Sequence, residues 1–546
     1  MKPRAPQVAV SLLFCLLASL PVAYAQPVIT VQSGPPTTTT QTPPAAPPDQ
    51  KAYDEARRIK DPQKKIDALE KVIKDFPDRF VAFQARNDVL DTLIKNFPDQ
   101  KQRIRAAAEK ILEPNQGIFI SGGSYLTVAS KLLEAGLFLD WAEELIKKGS
   151  AQYEDETARA LRRQRARYQD ALGRIYLKQG KTKEAKRSLK LALVNEPDLP
   201  TALLGLAQIA EKTGDHKAAL EYFASAAVKS PLKKADRQQM ETAYRATHHD
   251  SLTGLEEMLD ARYRRLNASQ SFAHYQATAK RSNRTALAEL FTGSGCGPCV
   301  AADLGFDGLL ERYNRQELVV LVYHLHIPLP DPMTNPATVE RGKYYGVPGT
   351  PTPVVDGFRL PSSGGSRDMT KSFYDRVNPK VETELESPAN AELKLTAALE
   401  GDRIKANVTV DKVTAASPDL KLQMALTEDE LRYTGENGIR FHPMVVRSLA
   451  GKDSLGFALA SAGPTNIEWT FDLKAMSDQL KKYLDSYEQL GHRGDTFTFS
   501  DKKFQIDPSN LSLVAFVQDM KTKTVLQTVY LKVKPATTAS AQTAAR

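Results

Sequence analysis

Between Lys51 and about Tyr275, apolar positions recur every three to four residues with charged positions between them. That spacing puts one apolar stripe on each of a series of helices. From Thr285 the pattern changes. ALAELF (286–291) reads as a short strand and CGPCVAADLGFDGLLERY (296–313) as an amphipathic helix. LVVLVYH (318–324) is an unbroken apolar run, as expected of a parallel strand covered on both faces. Asn335 and Pro336 supply the cap and first position of another helix, and Gly346 its end. PTPVVDG leads through a turn to a further strand, and Ser366 to Glu386 holds a last helix. Strand and helix in alternation predict an α/β layout with a compact sheet. From about Ala389 to Pro535, period-two alternation dominates, as in AELKLTAALEGDRIKANVTVD and LSLVAFVQDMKTKTVLQTVYLKV, the latter turning at Asp519 to Thr524. One helix interrupts, with Leu473, Met476, Leu480, Tyr483 and Tyr487 at helical spacing. A β-sandwich with a helical insertion is predicted over 387–535. Within it, GENGIRFHPMVVR (435–447) reads as a loop and edge strand, and Arg440 and His442 are its candidates to face a ligand.

The helical region repeats. RYQDALGRIYLKQGKTKEAKRSLKLALVNEP and LLGLAQIAEKTGDHKAALEYFASAAVKSP align Gly180 with Gly214, Ala185 with Ala219, Leu189 with Phe223, Ala192 with Ala226 and Pro197 with Pro231, each pair offset by 34 positions. Small residues let two helices cross closely, Gly ends the first helix, and Pro stops the second. The pattern resembles the tetratricopeptide repeat, whose period is 34, with its best copies at 166–199 and 200–233. Leu132 to Gly136 followed by LFLDWAEELIKKG is a degenerate copy with Trp141 in place of the alanine, and Lys51 to Asp78 is a weaker fourth. The resemblance implies a helical array over 51–278 that docks a protein partner. Arg159 to Lys190 is dense in Lys and Arg, opposed by Asp170 and Glu184. Two readings stand for that stretch: a basic groove for an acidic partner, and a solvated helix face.

The start, MKPRAPQVAVSLLFCLLASLPVAYAQ, reads as a secretory signal over 1–25, with a basic n-region, an apolar run from Val8 to Leu20 and a small-x-small end at Ala23-Tyr24-Ala25. Cys15 lies inside that run and is expected to leave with it. Residues 26–50 are rich in Pro and Thr and read as a flexible linker; 536–546 reads as a flexible tail. The protein is therefore expected to be exported: periplasmic in a Gram-negative source, extracellular otherwise. The chain has 546 residues, 41% hydrophobic and 25% charged, enough for several cores. The formal charge of +9 falls to +7 without Lys2 and Arg4. That is too mild at this length to point to nucleic acid. No further stretch is apolar and long enough to span a membrane after signal cleavage.

Cys296 and Cys299 are then the thiols of the exported chain, in a compartment where disulfides persist. Two cysteines three apart at a helix start bring both sulfurs within bonding reach. The free N–H groups and dipole there favour the thiolate, the species that attacks disulfides. Cys299, a turn deeper, is placed to resolve a mixed disulfide, and Pro298 stiffens the turn without removing a needed N–H.

The strand ALAELF, the opening Cys296-Gly297-Pro298-Cys299 and GVPGTPTPVVDG some fifty residues on resemble the thioredoxin-like superfamily over 279–386, in an exported branch carrying Glu-Leu-Phe-Thr before the cysteine. The resemblance implies a thiol–disulfide oxidoreductase with no cofactor, acting on protein thiols and disulfides with a redox partner protein. It implies Cys296 as attacking sulfur, Cys299 as resolving sulfur, and a cis proline at Thr350-Pro351 aligning substrate; Pro348 and Pro353 are rivals for that place. Two departures stand out. Gly295 occupies the usual Trp position, and Leu290 the usual place of a buried acid, leaving Glu289 as the candidate proton acceptor although strand alternation turns it from Leu290's face. His324 and His326, two apart at a strand end, are expected on one face. With Cys296 and Cys299 they form a donor set suited to copper, so copper delivery is an alternative to exchange, and electrostatic tuning of the thiols a further role. A third reading makes the chain an exported adaptor with a redox-passive module.

Overall fold

The computed structural model describes residues 47–113, 122–151, 159–267, 270–414, 417–451, 456–459, 464–492, 496–534 and 542–545. The predicted signal segment and nearly all of the predicted 26–50 linker lie outside the described residues. Among the described residues twelve helices precede the first strand: α1 (Pro48–Arg57), α2 (Pro62–Asp75), α3 (Phe80–Asn96), α4 (Lys101–Leu112), α5 (Gly122–Ala135), α6 (Leu139–Ser150), α7 (Arg159–Lys178), α8 (Thr182–Asn195), α9 (Pro200–Lys212), α10 (His216–Ala227), α11 (Lys234–Thr247) and α12 (Leu255–Leu266). They build a tetratricopeptide-like array. Gly136, Gly180 and Gly214 follow the first helices of the hairpins α5/α6, α7/α8 and α9/α10 with φ of 69°, 76° and 74°. The left-handed residue ends each helix and turns the chain back. Close crossing follows from the small residues. A Cβ on Gly173 would lie 2.6 Å from Leu189 Cγ, and one on Gly205 2.8 Å from Leu189 Cδ1, so Leu189 of α8 keys between α7 and α9. Trp141 of the degenerate copy carries the Arg105 guanidinium 3.3 Å above its ring, which gives α4 and α6 a contact no alanine could make.

Two ends of the predicted array shift. Helix begins at Pro48, inside the predicted linker, because Pro at a first helical position needs no N–H. Helix stops at Leu266, and the non-helical residues 270–285 run back over the α/β part. Phe272 packs on Gly308, and Tyr275 N–H donates to Arg312 O at 2.9 Å.

The remaining elements are β1 (Ala286–Thr292), α13 (Val300–Arg312), β2 (Leu318–His324), α14 (Pro336–Tyr345), β3 (Thr352–Val355), β4 (Phe358–Arg359), α15 (Thr370–Glu386), β5 (Glu392–Glu400), β6 (Arg403–Asp411), β7 (Leu420–Arg432), β8 (Phe441–Leu449), β9 (Phe457–Ala458), β10 (Thr465–Asp472), α16 (Leu473–Leu490), β11 (Leu511–Asp519), β12 (Val525–Lys532) and β13 (Gln542–Ala545). Asn335 caps α14, accepting from Thr338 N–H, and Gly346 ends it at φ 61°. Asp356 and Gly357, both at positive φ, make the tight β3–β4 turn.

One sheet runs β12-β11-β7-β8-β2-β1-β3-β4, with β9 on β7; a second runs β10-β6-β5-β13. The β-rich region thus stacks its small sheet on β7, β11 and β12, around Leu395, Val408, Leu422, Leu426, Leu513 and Val517. The large sheet continues across the predicted boundary at 386–387, because β8 lies parallel beside β2 through Val322 and Val445. GENGIRFHPMVVR is therefore an interior strand and its turn, correcting the edge assignment. Pro443 is tolerated because the β2 contact falls at Val445, leaving Pro443 with β7 as its ladder neighbour. The predicted flexible tail also needs correction: β13 pairs with β5, whose free edge offers an unpaired row of N–H and C=O groups. Among the described residues no helix is long and apolar enough to cross a membrane.

Candidate functional site

β1 is buried throughout and delivers the chain to Gly293-Ser294-Gly295. Cys296 then caps a short 3₁₀ turn, Gly297–Cys299, that runs into α13. Cys296 and Cys299 form a disulfide with Cα atoms 5.2 Å apart. Cys296 Sγ lies 3.7 Å from the Thr350 carbonyl oxygen. Thr350–Pro351 is cis, and so is Ile327–Pro328, which the sequence did not single out. Thr350 Oγ1 donates to Ile327 O at 3.0 Å, tying the two loops together. The glycines have a steric reason. A Cβ on Gly293 would lie 2.5 Å from Ile327 O, and one on Gly295 2.7 Å from Leu329 Cβ. Leu329 fills the place the resemblance assigns to Trp. Although Gly297 and Pro298 are exposed, Cys296 keeps only 1% of its surface and Cys299 none.

The carboxylates are arranged differently from expectation. Glu289 is fully buried on the α14 face of β1, where its oxygens accept from Arg341 Nε at 2.8 Å, Arg341 Nη2 at 3.1 Å and Tyr345 OH at 2.6 Å. It is committed to that network, which corrects its candidacy as proton acceptor for Cys299. Asp303, which the sequence reading missed, is better placed. It sits four residues after Cys299 on α13, hence on the same helix face. Thr292 Oγ1 donates to its Oδ1 at 2.7 Å. The residue is half-buried, and burial pushes its pKa up to about 7, with the Thr292 bond and His324 opposing. Asp307, a further turn along, is pushed to about 8 by burial and by Asp303. Helical spacing from the second cysteine was the available signal.

The two histidines part company. His324 Nδ1 lies 2.9 Å from Asp331 Oδ2, and its ring meets that of His442 edge-on at 5.0 Å. Asp331 also accepts from Ser294 N–H at 2.6 Å and Met333 N–H at 2.8 Å. Burial works to raise the Asp331 pKa, but His324 and these bonds outweigh it and hold it below the ordinary carboxylate range. The β-strand ends at His324. His326 lies beyond it and stacks on Tyr487 of α16 at 3.6 Å, accepting from Asp331 N–H at Nδ1. The single-face expectation therefore fails where the strand stops. Among the described residues no group of three or more His, Cys, Asp and Glu side chains is arranged to hold a metal ion.

Burial pushes His442 down to about 3 and His326 to about 4. A depressed histidine binds fewer protons folded than unfolded. The stability contributed by neutral His442 is whole above its unfolded pKa of 6.5 and is lost as pH falls toward 3. The loss is at most about 1.4 kcal/mol per pH unit. In melting curves from pH 7 to 4, His442→Gln should lose less stability on acidification than the parent; equal slopes would remove this ring from the acid response.

On the array, Lys183, Lys186, Arg187 and Lys190 form one stripe of α8 that continues into exposed Leu191 and Val194. The four cations, spaced three and four apart, lie along one helix face.

A tetratricopeptide repeat family model matches residues 171–233. No curated protein matches the chain. Among solved structures the chain is similar to HBP35 of Porphyromonas gingivalis, at 18% identity and TM-score 0.34, covering 47% of this chain and 79% of that one. It is also similar to PilF of Pseudomonas aeruginosa, at 14% and 0.28, covering 41% and 95%. A third is PilW, described as a widely conserved type IV pilus biogenesis factor, at 17% and 0.29, covering 40% and 91%.

Proposed function

We propose that this chain is an exported, repeat-based adaptor that holds a protein partner beside a thioredoxin-like module. The repeats at 171–233 support the docking half, because tetratricopeptide arrays serve protein–protein interaction. The α8 stripe suits an acidic partner surface.

The finer reading of the module is thiol–disulfide exchange. The observation that carries it is the Cys296–Cys299 disulfide at the start of α13, facing the Thr350 carbonyl. In the reducing direction, the Cys296 thiolate attacks a client disulfide. A Cys296–client bond forms and the client's other sulfur leaves as thiolate. Cys299, giving its proton to Asp303, then attacks Cys296 Sγ. The internal disulfide closes, the second client thiol departs, and two electrons have passed to the client; a dithiol partner protein restores the pair. The oxidising direction is the same sequence reversed.

Reduced protein should speed the reduction of insulin by dithiothreitol. Asp303→Asn should slow that turnover by about 10²-fold and remove a rise through pH 7, where the Asp303 carboxylate gains its capacity to accept a proton. A parent no faster than dithiothreitol alone would leave the adaptor with a passive module. One observation favours that second reading: the near-complete burial of both sulfurs.

A further inference from the structure

We propose that the tip of the β7–β8 hairpin, Tyr433–Arg440, is a latch over the Cys296–Cys299 disulfide, held shut from the helical array; this deepens, and rests on, the exchange reading. A thiolate must reach a sulfur before it can break the bond. With 1% and 0% of their surfaces exposed, Cys296 and Cys299 admit no attacker until a covering segment moves.

The hairpin tip grips the backbone that carries them. Asn437 N–H donates to Ser294 O at 3.0 Å, and Asn437 Nδ2 stands 3.4 Å from Gly293 O and 3.5 Å from Cys296 O. The approach is so close that a Cβ on Gly435 would lie 2.4 Å from Ser294 O. Asn437 is itself braced, its Oδ1 accepting from Ile439 N–H at 3.0 Å.

The root of the tip lies on the array. Buried Arg440 binds Asp260 at 2.8 Å and Glu256 at 2.6 Å, both on α12. Arg432, at the other side of the hairpin, binds Asp260 at 2.6 Å. Phe441 meets Tyr263 edge-on at 5.4 Å and lies under the Arg264 guanidinium. Gly438 abuts Lys229 O, just past α10. One hairpin thus touches the cysteine loop and Lys229 at its tip and α12 of the repeat array at its base. The hairpin gives α12 a continuous route to the backbone of the cysteine loop, and this route is the proposed link between partner docking and sulfur access.

The test is the rate at which dithiothreitol reduces the disulfide in the oxidised full chain, read by counting released thiols. Asn437→Ala removes the side-chain contacts to Gly293 O and Cys296 O and the brace to Ile439, leaving the backbone bond to Ser294 O, and Glu256→Gln loosens the root from a position remote from the sulfurs. Each should speed reduction at least about fivefold with the melting transition retained; the loss of one hydrogen bond supports a change of this size. Rates within twofold of the parent in both variants would overturn the latch, as would acceleration by Leu329→Ala alone. The thiol count does not depend on any client. Unlatched variants that are reduced quickly yet leave insulin intact would sink the exchange reading while the latch stands.

Discussion

Arg341→Ala should cost the molecule about 3–5 kcal/mol, the range for removing one member of a buried ion pair. Arg341 is buried on α14 and forks onto Glu289 of β1 with two bonds. Its Nη1 reaches Gln518 Oε1 of β11 at 2.8 Å, and its Nη2 reaches Tyr345 OH at 3.1 Å. Gln518 Nε2 closes the ring of contacts by donating to Tyr345 OH at 3.0 Å. The network joins the cysteine-bearing strand to a strand of the β-rich region. Without the guanidinium, the Glu289 carboxylate stays buried with only the Tyr345 hydroxyl, and α14 and β11 lose their common partner. Glu289→Gln with Arg341→Met should recover much of the loss, because an apolar side chain of similar length leaves no uncompensated charge. Equilibrium denaturation of the three proteins checks this; an Arg341→Ala variant within 1 kcal/mol of the parent would contradict it.

Cys296→Ser should bring insulin reduction to the rate of dithiothreitol alone, because the thiol that remains beside it, Cys299, is fully buried. Cys299→Ser should behave differently. Its Cys296 still attacks a client, but nothing within the chain resolves the mixed disulfide, so the adduct persists. The asymmetry tests the assignment of roles: Cys296 faces Thr350 O, while Cys299 lies one helical turn before Asp303 at the start of α13. Equal loss in both variants with no adduct in either would contradict the division of labour.

Much of this arrangement was legible in sequence because it rests on local pattern. Gly180 and Gly214 mark helix ends, Leu189 finds its crossing glycines at fixed offsets, and Cys-Gly-Pro-Cys announces a turn before an amphipathic helix. The illegible parts depend on contacts between distant segments. β8 joins β2 through one residue pair, a union with no periodic signature, so the sheet's passage from the α/β part into the β-rich region could not be read. Glu289 looked available for proton transfer because its partners, Arg341 and Tyr345, lie 52 and 56 positions away. Gly295 looked like a missing aromatic until Leu329 was seen to occupy its space. The run 435–447 offered Arg440 as a residue to face a ligand, but its guanidinium is spent on Asp260, and the tip's importance lies in Ser294 O at one end and Asp260 at the other.

The most direct measurement of the whole account is adduct trapping in cells. The full chain with Cys299→Ser is resolved on nonreducing gels beside the same protein carrying Lys183→Glu, Lys186→Glu, Arg187→Glu and Lys190→Glu. Discrete dithiothreitol-sensitive adducts that vanish with Cys296→Ser and weaken when the α8 stripe is reversed are the expected result. No adduct at all, where the parent's disulfide can be reduced in the tube, would contradict an adaptor that delivers clients to Cys296.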